Sequence, residues 1–162
     1  MDIIPLTQEN LDETLAITNS VFVNEAKKKW PEIAYNASLG IEPHLSYVRE
    51  RATDYLKYWI AKENGKVLGT IGLYHETDTP DRIWIGWFCV SPTARGKGVG
   101  RKLLQFTIDE VKSMNTYTTV WLYTSREPNE AAAQILYDKM GFEIMSEEEK
   151  QPYAVLNRRL IL

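Results

Sequence analysis

The chain has 162 residues, 44% of them apolar, which suits one globular domain spanning 1–162 with a sizeable core and no linker or internal repeat. Nineteen Lys and Arg against 22 Asp and Glu leave a formal charge of −3, which argues against a nucleic-acid binder. A single cysteine, Cys89, excludes an internal disulfide framework and fits a reducing cytoplasm, while neither a basic–apolar leader nor an 18-residue apolar run is present to suggest secretion or a membrane span.

In chain order, Asp2–Leu6 reads as a strand closed at Pro5, with Thr7 as cap for a helix over Asn10–Phe22 whose apolar residues fall at 11, 15, 17, 21 and 22. Asn24–Ile41 is irregular in pattern, interrupted at Pro31 and Gly40, and Leu45–Leu56 reads as a second helix. The period then changes to two. Tyr58–Lys62 and Val67–Tyr74 form a hairpin across Asn64-Gly65, a pair suited to a type I′ turn, and Arg82–Val90 is the next strand. Val99–Met114 is an amphipathic helix with Val99, Leu103, Leu104, Ile108 and Val111 on one face. Tyr117–Thr124 is strand-like, Glu130–Met140 helical, and Phe142–Met145 and Tyr153–Leu160 are closing strands, with Glu147–Lys150 a charged loop. The order β α α β β β α β α β β indicates a mixed α/β sheet.

The segment with most chemistry is Val90-Ser-Pro-Thr-Ala-Arg-Gly-Lys-Gly-Val-Gly100. It leaves an apolar strand, turns through glycines 96, 98 and 100, and runs directly into a helix. Backbone N–H groups at a helix start have no partner within the helix, and the dipole adds roughly half a positive charge there. Such a loop is suited to holding phosphate, helped here by Arg95, Lys97 and Arg101. Two nucleotide loops are excluded. No G-x-x-x-x-G-K-[ST] run exists, and the G-x-G-x-G spacing places Arg101 where a dinucleotide loop needs its third glycine.

Arg95-Gly-Lys-Gly-Val-Gly100 resembles the R/Q-x-x-G-x-G/A signature of the GNAT superfamily of acyl-CoA N-acyltransferases. The preceding Ile83-Trp-Ile-Gly-Trp-Phe-Cys-Val90 strand and the following Gly100–Leu104 also look like that family. Downstream, Asn129-Glu-Ala-Ala-Ala-Gln-Ile-Leu-Tyr-Asp-Lys-Met-Gly-Phe142 resembles its later helix, ending in Leu-Tyr-x-x-x-Gly-Phe. The likeness covers Lys57 to Arg159 and leaves residues 1–56 nearly without it.

The resemblance implies a GNAT fold: a mostly antiparallel, twisted sheet of about seven strands flanked by about four helices. It also implies an N-acetyltransferase that uses acetyl-CoA, with no metal, and moves the acetyl group to an amine of a small molecule or a protein by direct attack. The pyrophosphate would sit on Arg95, Gly96, Lys97, Gly98, Val99, Gly100 and Arg101, and the pantetheine arm along the backbone of Phe88, Cys89 and Val90. Tyr137 takes the position of the family's general acid, a phenol whose ordinary pKa near 10 suits protonation of a leaving thiolate. Asn129 lies one residue out of register with the family's asparagine, and Glu130 holds the aligned place. Asn129 is therefore read either as a helix cap or as a pantetheine contact.

No general base stands out: strand 82–90 holds neither carboxylate nor histidine, and Glu25, Glu32, Glu42, His44, Glu76 and Asp78 could approach the acceptor pocket but read as ordinary surface residues, while deprotonation through ordered water also fits this absence. Cys89 reads as a buried strand cysteine whose thiol direct transfer does not need. The acceptor has no motif; the partner is an amine, not nucleic acid or membrane, and a homodimer is left open. A non-catalytic acyl-CoA-binding module of the same fold is the alternative reading, and a nucleotide-binding protein a third.

Overall fold

Strand alternation places Tyr58 and Ile60 on one face of a sheet and Trp59 and Ala61 on the other, and all four are buried. Both faces of the sheet are therefore covered. The computed structural model describes residues 1–162. Its strands are β1 (Asp2–Pro5), β2 (Thr53–Glu63), β3 (Lys66–Glu76), β4 (Ile83–Val90), β5 (Thr119–Ser125), β6 (Glu143–Glu148) and β7 (Val155–Ile161). Its helices are α1 (Leu11–Val21), α2 (Val23–Lys27), α3 (Trp30–Ser38), α4 (His44–Glu50), α5 (Val99–Met114) and α6 (Ala131–Lys139). The seven strands form one sheet in the order β1-β2-β3-β4-β5-β7-β6. Every neighbouring pair is antiparallel except β4 and β5, which run parallel.

One core lies under α5 and α6, where Leu103, Leu104 and Val111 of α5 and Phe142 meet Ile71, Leu73, Ile83, Val120 and Leu122 of the strands. The other gathers Leu6, Leu11, Tyr35, Tyr58, Ile60 and Val67 beneath α1 and α3. Each fully buried aliphatic side chain contributes about 1.5–3 kcal/mol over its exposed state, so the α5 stripe anchors the helix whose first turn follows the glycine loop. Asn64 (φ 50°) and Gly65 (φ 76°) both adopt the positive φ of the expected β2–β3 turn.

The first 56 residues differ most from their sequence pattern. The side chain of Asn10 accepts the N–H of Thr7 at 2.9 Å, and α1 begins at Leu11, so Thr7 does not cap it. Residues 24–41 are largely helical, forming most of α2 and all of α3. Pro31 stands at the start of α3, where its missing N–H costs nothing, rather than breaking a helix. There are thus six helices, not four. α4 ends at Glu50, and Thr53–Leu56, read as helix, instead extends β2 by pairing with Tyr74–Glu76. Ladder pairing with β3 overrides the local pattern there. Glu147 and Glu148, expected in a loop, end β6.

Candidate active site

The site begins with a kink in β4. Between the pairs Thr70–Cys89 and Gly72–Gly86 the β3–β4 register slips, and Trp87 takes a left-handed φ of 43°. This β-bulge bends the strand. β4 and β5 are in register only at Ile83–Val120, Trp84–Trp121 and Ile85–Leu122, although both strands continue, to Val90 and Ser125. Beyond Ile85 they separate. The cleft so formed has Gly86–Val90 as one wall and Tyr123–Ser125 as the other, with backbone edges that no neighbouring strand pairs. An extended ligand carrying amide groups could pair there as an added strand would.

At the end of the β4 wall the chain turns into α5. Gly98 (φ 79°) stands immediately before the helix, and Gly96 has φ 76°. A Cβ at either position would meet nothing within 4 Å, so the loop presents bare backbone to solvent. After Ala94, whose N–H donates to Ser91 O at 2.9 Å, the next N–H to donate within the backbone is that of Lys102, to Gly98 O at 3.1 Å; none from Arg95 to Arg101 does so. A run of amides without a backbone acceptor thus leads into a helix start, with exposed Lys97 and Arg101 beside it, an arrangement suited to an anion. Arg95 folds back, its Nε donating to Val90 O at 3.3 Å. At Gly100 a Cβ would make only ordinary contacts, 3.4 Å from Phe88 Cζ and 3.6 Å from Leu136 Cδ2.

α6 carries the polar groups. Tyr137 is buried, with its ring 6.2 Å from that of Phe88 and 6.0 Å from that of Phe142. Burial, followed by the charge of Glu130, raises its phenol above the ordinary value, and Arg158 opposes the shift. The only fully buried side-chain polar atoms without a partner are Nε of Arg82 and Nε of Arg159, so the Tyr137 hydroxyl, which has no protein partner, retains a path to the surface. Glu130 is half-buried, and burial raises its carboxyl despite hydrogen bonds from Ser125 and Thr124 that lower it. Its Oε2 accepts the Ser125 N–H at 3.0 Å and the Ser125 hydroxyl, and its Oε1 accepts Thr124 Oγ1 at 3.2 Å.

A profile of the acetyltransferase (GNAT) family matches residues 21–142, well over half of the chain. The chain belongs to the acetyltransferase (GNAT) family. The probable N-acetyltransferase camello of Xenopus tropicalis is 33% identical over 85 residues, 52% of this GNAT chain and 37% of that protein, so the chain spans little more than a third of it. N-alpha-acetyltransferase RimI of Mycobacterium tuberculosis is 27% identical over 139 residues, 85% of this chain and 75% of that protein. The crystal structure of ribosomal-protein-alanine N-acetyltransferase from Brucella melitensis overlays with a TM-score of 0.70 at 20% identity, covering 100% of both chains, a likeness of fold.

GNAT enzymes use an acyl-CoA as co-substrate, and the residues singled out from the sequence fall into two groups by their place in this structure. Phe88, Val90, Gly96, Lys97, Gly98, Val99, Gly100, Arg101 and Tyr137 lie along the cleft wall, the glycine loop and the α6 face beside them. Cys89 points to the opposite face, its thiol 3.8 Å from Thr18 Oγ1 of α1 and pushed up to about 12 by burial, which leaves it no thiolate for chemistry. Asn129 is exposed and donates to Val21 O at 3.4 Å, while Glu130 holds the residue position before α6, so Asn129 is not that helix's cap. Glu42 caps the Ser46 N–H at 3.0 Å, and Glu32 and His44 line a separate hollow of about 420 Å³ beside α3 and α4.

What the sequence reading of this GNAT chain missed is a buried polar network. Arg158, 1% exposed, donates from Nε to Gln134 Oε1 at 3.0 Å and from its terminal nitrogen to Asp138 at 2.7 Å and Phe142 O at 2.9 Å. Gln134 in turn donates to Thr124 Oγ1 at 3.0 Å and Ser125 O at 2.9 Å. The adjacent pair Arg158 and Arg159, one of which strand alternation must turn inward, was the available signal.

Proposed function

We propose that this protein is an acetyl-CoA-dependent N-acetyltransferase that acylates a primary amine of a small molecule or a protein by direct attack within a ternary complex. The observation that carries the reading is the split between β4 and β5, which opens beside the glycine loop's run of amides without a backbone acceptor. The split provides a strand edge for an amide-bearing arm, and the loop provides an anion cradle for a pyrophosphate. When bound, acetyl-CoA supplies an already activated thioester.

The protein's share is positioning and proton handling. The backbone of Phe88–Val90 aligns the arm, and a backbone N–H of that wall serves the developing oxyanion. Tyr137, kept protonated by burial, hands its proton to the departing thiolate. Family membership and the likeness to N-acetyltransferases support an amine as acceptor. A reducing, cytoplasmic setting fits the single, buried, unpaired cysteine. A thiol-release assay with acetyl-CoA and a panel of amines tests the proposal: free CoA should appear only with an accepted amine. Release no faster than the enzyme-free background with every amine, from protein that binds CoA, would instead favour a binding module.

A further inference from the structure

We propose that Glu130 is the group that takes the proton from the incoming amine, so that α6 and the residue leading into it carry the acid and the base of the reaction. The inference rests on the acetyltransferase reading above. Glu130 stands at the cap position just before α6, and Gln134 and Tyr137, four and seven residues on, are buried on the helix face that follows from it. Hydrogen bonds to Thr124 and Ser125 fasten the Glu130 carboxylate to the end of β5, the wall of the cleft opposite Phe88–Val90. That wall is where an amine must stand to reach a thioester lying along β4.

The hydrogen bonds have a direction. Arg158 donates to Gln134, Gln134 donates to Thr124 Oγ1, and the hydroxyl proton of Thr124 is left to point at Glu130 Oε1. A buried cation thus ends a chain of donors on the carboxylate and holds it as an acceptor. Of about four acceptor positions on an ionised carboxylate, two on Oε2 and one on Oε1 are filled, leaving one on Oε1 for an N–H. The charges around it are few: Glu127 on the same turn, Tyr137 on α6 and Arg158 on β7, while Arg126 at the end of β5 is held by Glu147 of β6 at 2.8 Å. On the α1 side, Asn129 donates to the Val21 carbonyl. Burial raises the Glu130 carboxyl above its ordinary value, which brings it toward the range useful to a base at neutral pH.

The step balances. The ammonium gives one proton to Glu130; the freed nitrogen forms the N–C bond as the C–S bond breaks. Tyr137 protonates the thiolate and regains a proton from the acylated nitrogen. The proton on Glu130 leaves to water.

The test is the pH profile of kcat/KM for thiol release by the wild type, Glu130→Gln and Glu130→Asp, with CoA affinity measured alongside. Gln keeps the shape and the acceptor oxygen but cannot take the proton. Glu130→Gln is expected to lose roughly 100-fold in kcat/KM at neutral pH, to recover as the pH approaches that of the free amine, and to bind CoA unchanged. Glu130→Asp, which keeps a carboxylate, is expected to keep the wild-type profile at reduced height. A Glu130→Gln profile parallel to the wild type would overturn the inference while leaving acetyl transfer standing. A wild type that releases no thiol with any amine would overturn both.

Discussion

Tyr137 and Arg158 share the α6–β7 seam but do different work. The Arg158 guanidinium lies 5.8 Å from the centre of the Tyr137 ring and spends its hydrogen bonds on Gln134, Asp138 and Phe142 O. Tyr137→Phe removes only a hydroxyl that no protein group holds. It is expected to lower kcat by about 100-fold, with acetyl-CoA affinity and thermal midpoint nearly unchanged, measured by steady-state kinetics, calorimetry and thermal unfolding. Because burial raises the phenol, the proton donor persists as pH rises through the value near 10 at which a free phenol ionises. The kcat profile of the wild type should therefore show no alkaline fall at that pH. Arg158→Met is expected to destabilise instead, because Gln134 Oε1 and the Phe142 carbonyl would be left buried without a donor. Each such group costs about 1–3 kcal/mol, which denaturant unfolding would read as a lower midpoint.

At the scale of elements, α5 and the hairpin were legible because their periods are strong. The expected apolar face of α5 is the face that packs, and Leu104→Ala should cost about 2–5 kcal/mol in denaturant unfolding, since that side chain is fully buried. The β4 bulge was not legible. Nothing local marks Trp87 as the residue with positive φ; the slip arises from pairing with β3 and from the departure of β4 from β5. The N-terminal helices were obscured by Pro31, which starts α3, and by Thr53–Leu56, whose helical spacing yields to the ladder with β3. The glycine loop and Tyr137 were found because both sit in compact motifs. The Glu130–Thr124–Gln134–Arg158 chain was not, because its members come from β5, the turn before α6, α6 itself and β7, and no spacing in the sequence joins them.

For the whole molecule, the single parallel pair in an otherwise antiparallel sheet decides where a ligand can enter. β4 and β5 diverge at the middle of the sheet, α5 leaves from the end of β4, and α6 follows β5, so the glycine loop and the α6 face border one cleft. Acetyl transfer as proposed requires acyl-CoA to bind in that cleft. Calorimetric titration of CoA into the wild type and Gly98→Glu tests it most directly. A side chain at Gly98 meets no atom within 4 Å, but its left-handed φ of 79° adds strain of about 1–2 kcal/mol, and thermal unfolding would verify that the variant is folded. One CoA should bind per wild-type chain and tenfold or more weakly to the folded variant, whose carboxylate opposes the pyrophosphate. Equal affinity in the two proteins, or binding of ATP or NAD in preference to CoA, would contradict the assignment.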